Sequence, residues 1–350
     1  MKQLFHNILI QRFKYLRYFL LLLSLTFTSG IVLADKKAGE INFQNEVCAE
    51  FAKDLNADLG KVMEAGCEPT LAQMSALMDN PLGNVAMLFT QFDLYRMENK
   101  SNNKEANQGV YTGILQFPKK LNDDWNLINR VIWTVPSVPL DNGKINDYNP
   151  GPGGSGSGAP IDAFDGRTTG FGDMYYVGLF SPSAGIDVDW GEGKILWGAG
   201  FDIAAPTAEH DILGSDKWSA GPSALAVYMG PDWKVGGLAT HYWDFAGDDD
   251  ADDVNMTNLQ YFVFWSLSET ESIGASPNII IDWEQDTDNR YSVPIGIGYT
   301  KTIKMGKMPV RFGIELHKYI VQPDDIPGPD WGLRLYIIPA VPSAMFGWMQ

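Results

Sequence analysis

From about residue 85 to 340 the chain alternates apolar and polar or small positions with a period of two, the signature of strands with two different faces. The clearest case is "YSVPIGIGYTK", residues 291–301. Tyr291, Val293, Ile295, Ile297 and Tyr299 share one face, and Ser292, Pro294, Gly296, Gly298 and Thr300 share the other. A soluble sandwich strand buries its large row and shows water a charged one. Here the second row is small, and the apolar row begins and ends in Tyr. That arrangement suits a strand whose apolar row faces lipid, with an aromatic at each interface and a small row facing a lumen.

Twelve segments carry the pattern, at about 86–97, 108–117, 124–135, 170–181, 193–204, 217–229, 232–244, 256–267, 271–283, 290–302, 309–320 and 330–339. They are long for a globular protein and match the roughly 9–11 residues that a tilted strand needs to cross a bilayer. Odd-numbered connections, such as "ENKSNNKEAN", residues 136–169 and "AGDDDADDVN", read as long and mostly acidic, whereas even-numbered ones such as "GPD" and "KMGKMP" read as short. An even strand count with turns sorted by length predicts a 12-stranded antiparallel transmembrane β-barrel over residues 83–350. Val310, Phe312, Ile314 and Leu316 are expected to face lipid and Arg311, Glu315 and His317 the lumen.

The first 82 residues differ. Residues 1–34 carry Lys2, Arg12, Lys14 and Arg17, no acid, and an apolar run ending in small residues; this predicts a signal peptide cleaved after Ala34. Residues 35–82 read as a short helical hairpin. Phe51, Leu55, Leu59 and Val62 have helical spacing, and Thr70 and Gln73 form a capping box for a second helix ending at Asn80-Pro81. Cys48 and Cys67, the only cysteines, both fall in this exported segment, where a bridge between them is expected to staple the hairpin.

Several stretches, "LNDDWNLINRVIWTVPSVP", "GFGDMYYVGLFSP", "WGAGFDIAAP", "LGSDKWSAGPSALAVY", "HYWDFAGDDDADDVNMTNLQYFVFW" and "GPDWGLRLYIIP", resemble a family of Gram-negative outer-membrane barrels of the phenol-degradation meta-pathway type, often labelled transporters or neuromedin U. The resemblance covers most of residues 80–340. It implies an outer-membrane barrel with a transport role and supplies no binding residue. The long basic start and the Cys-bearing helical segment depart from the family.

Net charge of −17 excludes a nucleic-acid surface, which needs clustered Lys and Arg. The partners expected are outer-membrane lipid, the barrel-assembly machinery and a small-molecule solute. No cofactor is called for. Asp93, Arg130, Asp173, Asp202, Glu284, Arg311, Glu315, His317 and Arg334 are the candidate lumen residues, with Asp93, Arg311, Glu315 and Arg334 expected to form one network. They serve either a selective passage or a filled barrel. The run Asp248, Asp249, Asp250, Asp252 and Asp253 has the oxygens for Ca²⁺ but not the EF-hand order, and the metal expectation is none. An outward His241 is a weak starting point for a lipase-like dyad with Thr240, Ser219 or Ser223, because no nucleophile elbow is present. The favoured function is passive passage of small solutes; a structural or sensory barrel ranks second and a surface enzyme third.

Overall fold

The twelve alternating segments become twelve strands that close on themselves, every neighbour antiparallel. The structure, a computed structural model, describes residues 66–67, 69–100, 103–142, 164–306 and 308–341. All of these belong to one compact unit. The expected signal segment, the first helix of the hairpin and Cys48 lie outside the described residues.

The strands are β1 (Ala86–Asn99), β2 (Lys104–Lys120), β3 (Trp125–Val138), β4 (Met174–Pro182), β5 (Lys194–Ala205) and β6 (Lys217–Met229). They continue as β7 (Trp233–Gly247), β8 (Asn255–Ser268), β9 in two pieces (Glu271–Ala275 and Asn278–Asp282), β10 (Tyr291–Met305), β11 (Met308–Val321) and β12 (Gly328–Val341). β12 closes on β1 from Ala86↔Val341 to Glu98↔Gly328. Among the described residues one helix, α1 (Leu71–Asp79), precedes β1, capped as the sequence predicts. Thr70 Oγ1 accepts from the Gln73 amide at 3.2 Å, and Gln73 Oε1 accepts from the Thr70 amide at 2.8 Å.

The end of the barrel that carries α1 has the tight connections 121–124, 230–232, 269–270 and 306–307 and one longer one, 183–193, and the opposite end has the long ones apart from the first. Three boundaries differ from the sequence reading. β1 and β2 run on past the alternating stretch and leave only residues 100–103 between them, so the first connection is a turn rather than a long loop. β4 begins at Met174, not 170, and β9 is interrupted at Ser276–Pro277. A proline has no N–H to give the ladder, and Pro277 sits where the pairing with both neighbours lapses.

The faces follow the pleat. Ile295, Ile297, Ile314, Leu316, Leu335 and Ile337 stand 39–64 % exposed on the outside. Val310 keeps the register of this outer row but is buried at 2 %. Trp125, Trp197, Trp233 and Trp265 ring the outer wall at the α1 end, and Trp218, Trp243 and Trp331 the loop end. An apolar belt between two aromatic girdles is what a bilayer covers. The polar Asn129 within β3's outer row is satisfied locally. It accepts from the Tyr176 hydroxyl at 2.7 Å and donates to the carbonyls of Phe117 and Leu127.

Inside, the wall is packed rather than hollow at the α1 end. Leu77 and Met78 of α1 bury against Tyr336 and Ile338 of β12 with Val85 and Met87. A few residues on, Leu82 packs with Ile128, Leu179, Leu196 and Leu225 of β3 to β6. Residues 70–85 therefore lie across the bore from one side of the wall to the other.

Candidate functional site

Alternation places one inward side chain from each of three adjacent strands in a row: Asp93 of β1 is paired with Arg334 of β12, and Arg334 with Glu315 of β11. Arg334 Nε donates to Asp93 Oδ1 at 2.7 Å, and Gln91 Nε2 donates to Asp93 Oδ2 at 2.5 Å. Arg334 Nη1 donates to the Ser276 carbonyl at 2.7 Å. The Ser276 amide and hydroxyl then donate to the two Glu315 oxygens at 2.9 and 3.0 Å. His317 Nε2 completes the chain 2.9 Å from Glu315 Oε2. Where β9 leaves its ladders, its freed backbone is thus taken up by side chains of β11 and β12. The small inner row of β10 makes the room. A Cβ on Gly296 would meet His317 Cδ2 at 2.7 Å, and one on Gly298 would meet Glu315 Cγ at 2.7 Å.

Arg311 does not join this network. It turns to α1, pairing with Asp79 at 2.6 Å and donating to the Ser75 carbonyl at 2.9 Å and the Met78 carbonyl at 3.3 Å. Lys234, from the far wall on β7, reaches the same Asp79 at 3.3 Å. Ser75 Oγ also donates to Thr302 Oγ1 of β10 at 3.0 Å. The expected four-residue network is therefore two: one inside the wall, and one that ties the helix across the bore. The second was invisible in the sequence because its hub, Asp79, comes from a helix whose partners on the wall no strand pairing dictates.

Above the helix the lumen holds a cavity of about 230 Å³. Asp93 and Arg334 border it, as do aliphatic side chains (Ile114, Ile132, Val177, Leu238), the tyrosines Tyr175 and Tyr242, and amides such as Gln108 and Gln260. Arg130 is in its lining, inward on β3 and 8 % exposed. Asp202 points inward on β5 but is fully buried behind the lining, where the hydroxyls of Tyr242 and Ser223 and the Gly221 amide face its carboxylate.

Two expected lumen residues sit elsewhere. Glu284 is exposed in the connection after β9. Asp173 precedes β4 and organises the loops: it accepts from the amides of Thr207, Ala208 and Ser215 at 2.9, 3.1 and 2.8 Å, and from Ser215 Oγ at 3.0 Å. Burial pushes its carboxyl above the ordinary range despite those bonds. Asp216 nearby is raised by burial and by repulsion from Asp211, Asp173 and Asp248. Both were assigned to strands or passed over because boundaries shift by a few residues at strand ends. Ser276 was missed altogether; the signal for it was Pro277 inside an alternating run.

The acidic run 248–253 makes a local turn, with Asp248 Oδ1 accepting from the Asp250 amide at 3.0 Å and Asp253 lying 3.7 Å from Lys217. Among the described residues no cluster of acid, His or Cys side chains is placed to hold a metal. His241 stands on the outer face against Trp243, its Nδ1 2.7 Å from Thr257 Oγ1. Ser219, Ser223 and Thr240 are buried on the inner face, so none of them pairs with it.

No described protein family and no curated protein matches the chain in sequence. Its likeness to solved structures lies in the fold and varies in degree. An outer-membrane channel from Pseudomonas putida F1 superposes with a TM-score of 0.50 at 14 % identity, covering 74 % of this chain and 97 % of that one. A FadL homologue from Pseudomonas aeruginosa gives 0.30 at 10 % identity over 73 % of this chain and 89 % of that one. The outer-membrane phospholipase A of Escherichia coli gives 0.37 at 8 % identity over 76 % and 98 %. The fold is that of an outer-membrane β-barrel.

Proposed function

We propose that this protein is an outer-membrane channel through which small solutes with apolar or aromatic bodies pass, gated at its periplasmic end by residues 70–85. The carrying observation is the lumen: a cavity of about 230 Å³ with aliphatic and tyrosine walls, above a helix tied across the bore. Its volume exceeds the roughly 150 Å³ of an apolar cavity that takes benzene. The aliphatic and tyrosine part of the lining supports an apolar body, and the amides and charges beside it support a polar end group.

In this reading the signal is removed after Ala34, the barrel-assembly machinery inserts the chain, the tight turns face the periplasm and Cys48 bridges Cys67. The resemblance to the phenol-degradation meta-pathway barrels points to the same solute class. Proteoliposomes holding the purified protein and a deletion strain test it together. Uptake of a single-ring aromatic, neutral (toluene) or carboxylated (benzoate), should rise with the protein and fall with its loss. No change with either solute would refute transport and leave the barrel a structural element.

A further inference from the structure

Arg130 is the one guanidinium bordering the cavity for which the fold provides no partner. The others are engaged: Arg334 by Asp93, Ser276 and Asn278, and Arg290 by the Gln285 carbonyl and the face of Trp283. Arg130 makes no hydrogen bond and no ion pair among the described residues, and its Nε is fully buried and unsatisfied. A buried, unpaired cation costs several kcal/mol, and structures keep one where something else completes it.

The surroundings define the completing group. On the inward face Arg130 lies level with Gln116 of β2 and Val177 of β4, and Ile132 follows it along β3. Around it the cavity is walled by Ile114, Ile132, Val177, Leu238 and the ring of Tyr242. Asp202 of β5 is next in the same row beyond Val177 but is set back behind the lining, so within the cavity Arg130 is an unpartnered positive charge beside an apolar stretch of wall, which matches a single negative charge on an apolar body. A dianion such as inorganic phosphate would leave one charge unmatched, and a neutral hydrocarbon would leave the guanidinium unmatched.

We propose that Arg130 is a binding residue for the carboxylate of a small monocarboxylate, whose single-ring or short aliphatic body occupies the apolar wall of the cavity. The planar fork of the guanidinium fits a carboxylate with two parallel N–H···O bonds. This inference rests on the transport reading for its biological meaning, but its chemistry is tested by binding alone.

The test uses the full mature chain in detergent, with benzoate as probe and benzyl alcohol as its neutral counterpart, titrated by calorimetry. Heat-modifiable migration on gels verifies folding of each variant. Benzoate should bind, and Arg130→Gln should weaken it about 10- to 100-fold while leaving benzyl alcohol unchanged. Arg130→Lys, which keeps the charge and loses the fork, should fall between. Equal affinity of wild type for both probes, no benzoate binding, or benzoate affinity indifferent to Arg130→Gln would each overturn the assignment. If Arg130 serves instead to offset the buried Asp202, Asp202→Asn and Arg130→Gln will each lower thermal stability and neither will alter benzoate affinity. Arg130-dependent binding without liposome uptake would sink the transport reading and leave the carboxylate site standing.

Discussion

Replacing Asp79 with Asn removes one charge and almost no volume from the point where both walls hold the helix. Asp79 is the last residue of α1, where an acid meets the negative end of the helix dipole and is locally unfavourable. Its favourable interactions are with Arg311 and Lys234, whose side chains are 12 % and 15 % exposed against 16 % for Asp79. Breaking a buried pair by removing one partner costs about 3–5 kcal/mol, because the other charge is left uncompensated. Arg311 keeps the Ser75 and Met78 carbonyls as acceptors, which favours the lower figure. Since about 1.4 kcal/mol is tenfold, a loss of about 3 kcal/mol raises the ratio of displaced to seated helix about 100-fold. In planar bilayers, Asp79→Asn should conduct for a far larger fraction of time than wild type, with the barrel still heat-modifiable. Asp79→Asn with Arg311→Gln should recover part of the loss, since one stranded cation is gone. Conductance of Asp79→Asn equal to wild type, in folded protein, would show that residues 70–85 do not gate the bore.

Three further outcomes are expected. Ile314→Lys puts a cation on the lipid face at a cost of about 2–4 kcal/mol and should impair assembly in vesicles. Glu315→Gln on the next residue should instead insert, but melt earlier, because three donors (the Ser276 amide, the Ser276 hydroxyl and His317) lose their carboxylate; normal assembly of Ile314→Lys would reverse the two faces. The raised carboxyls of Asp173 and Asp216 bind protons more tightly folded than unfolded. The stability they lend is therefore present below the ordinary Asp range and lost as pH rises through the raised values. Residues 206–216 should resist limited proteolysis better near pH 4 than at pH 7, and Asp216→Asn should flatten that difference; greater resistance at pH 7 would contradict the assignment. Finally, protein recovered from oxidising cells should not react with a thiol alkylator until reduced, and labelling of Cys48 and Cys67 without reductant would exclude the bridge.

The wall was legible in the sequence because alternation is local: whether Ile314 or Glu315 faces lipid is decided by its immediate neighbours. The pairing of Asp93 with Arg334 was within reach for the same reason, since strands one and twelve of a closed barrel must be adjacent. Arg311 was misassigned because its partner Asp79 comes from a helix whose position in the bore no strand pattern records. Ser276 was unreadable for a different reason. Its contribution is largely backbone, an amide and a carbonyl released by Pro277, and backbone groups carry no side-chain signature. Glu284 and Asp173 failed on boundaries, where a shift of a few residues turns a lumen position into a loop.

The Asp93–Arg334 pair also bears on how the barrel's circumference is set. Alternation forbids a one-residue slip between the first and last strands, because every side chain would change faces. It is indifferent to a two-residue slip, which keeps lipid residues on lipid and yields a barrel of different shear and tilt, hence a different diameter. A two-residue slip would, however, part Asp93 from Arg334, leaving Asp93 only Gln91 of its side-chain donors and Arg334 without the carboxylate on its Nε. One buried ion pair at the closing seam therefore acts as a registration mark that fixes the width of the bore.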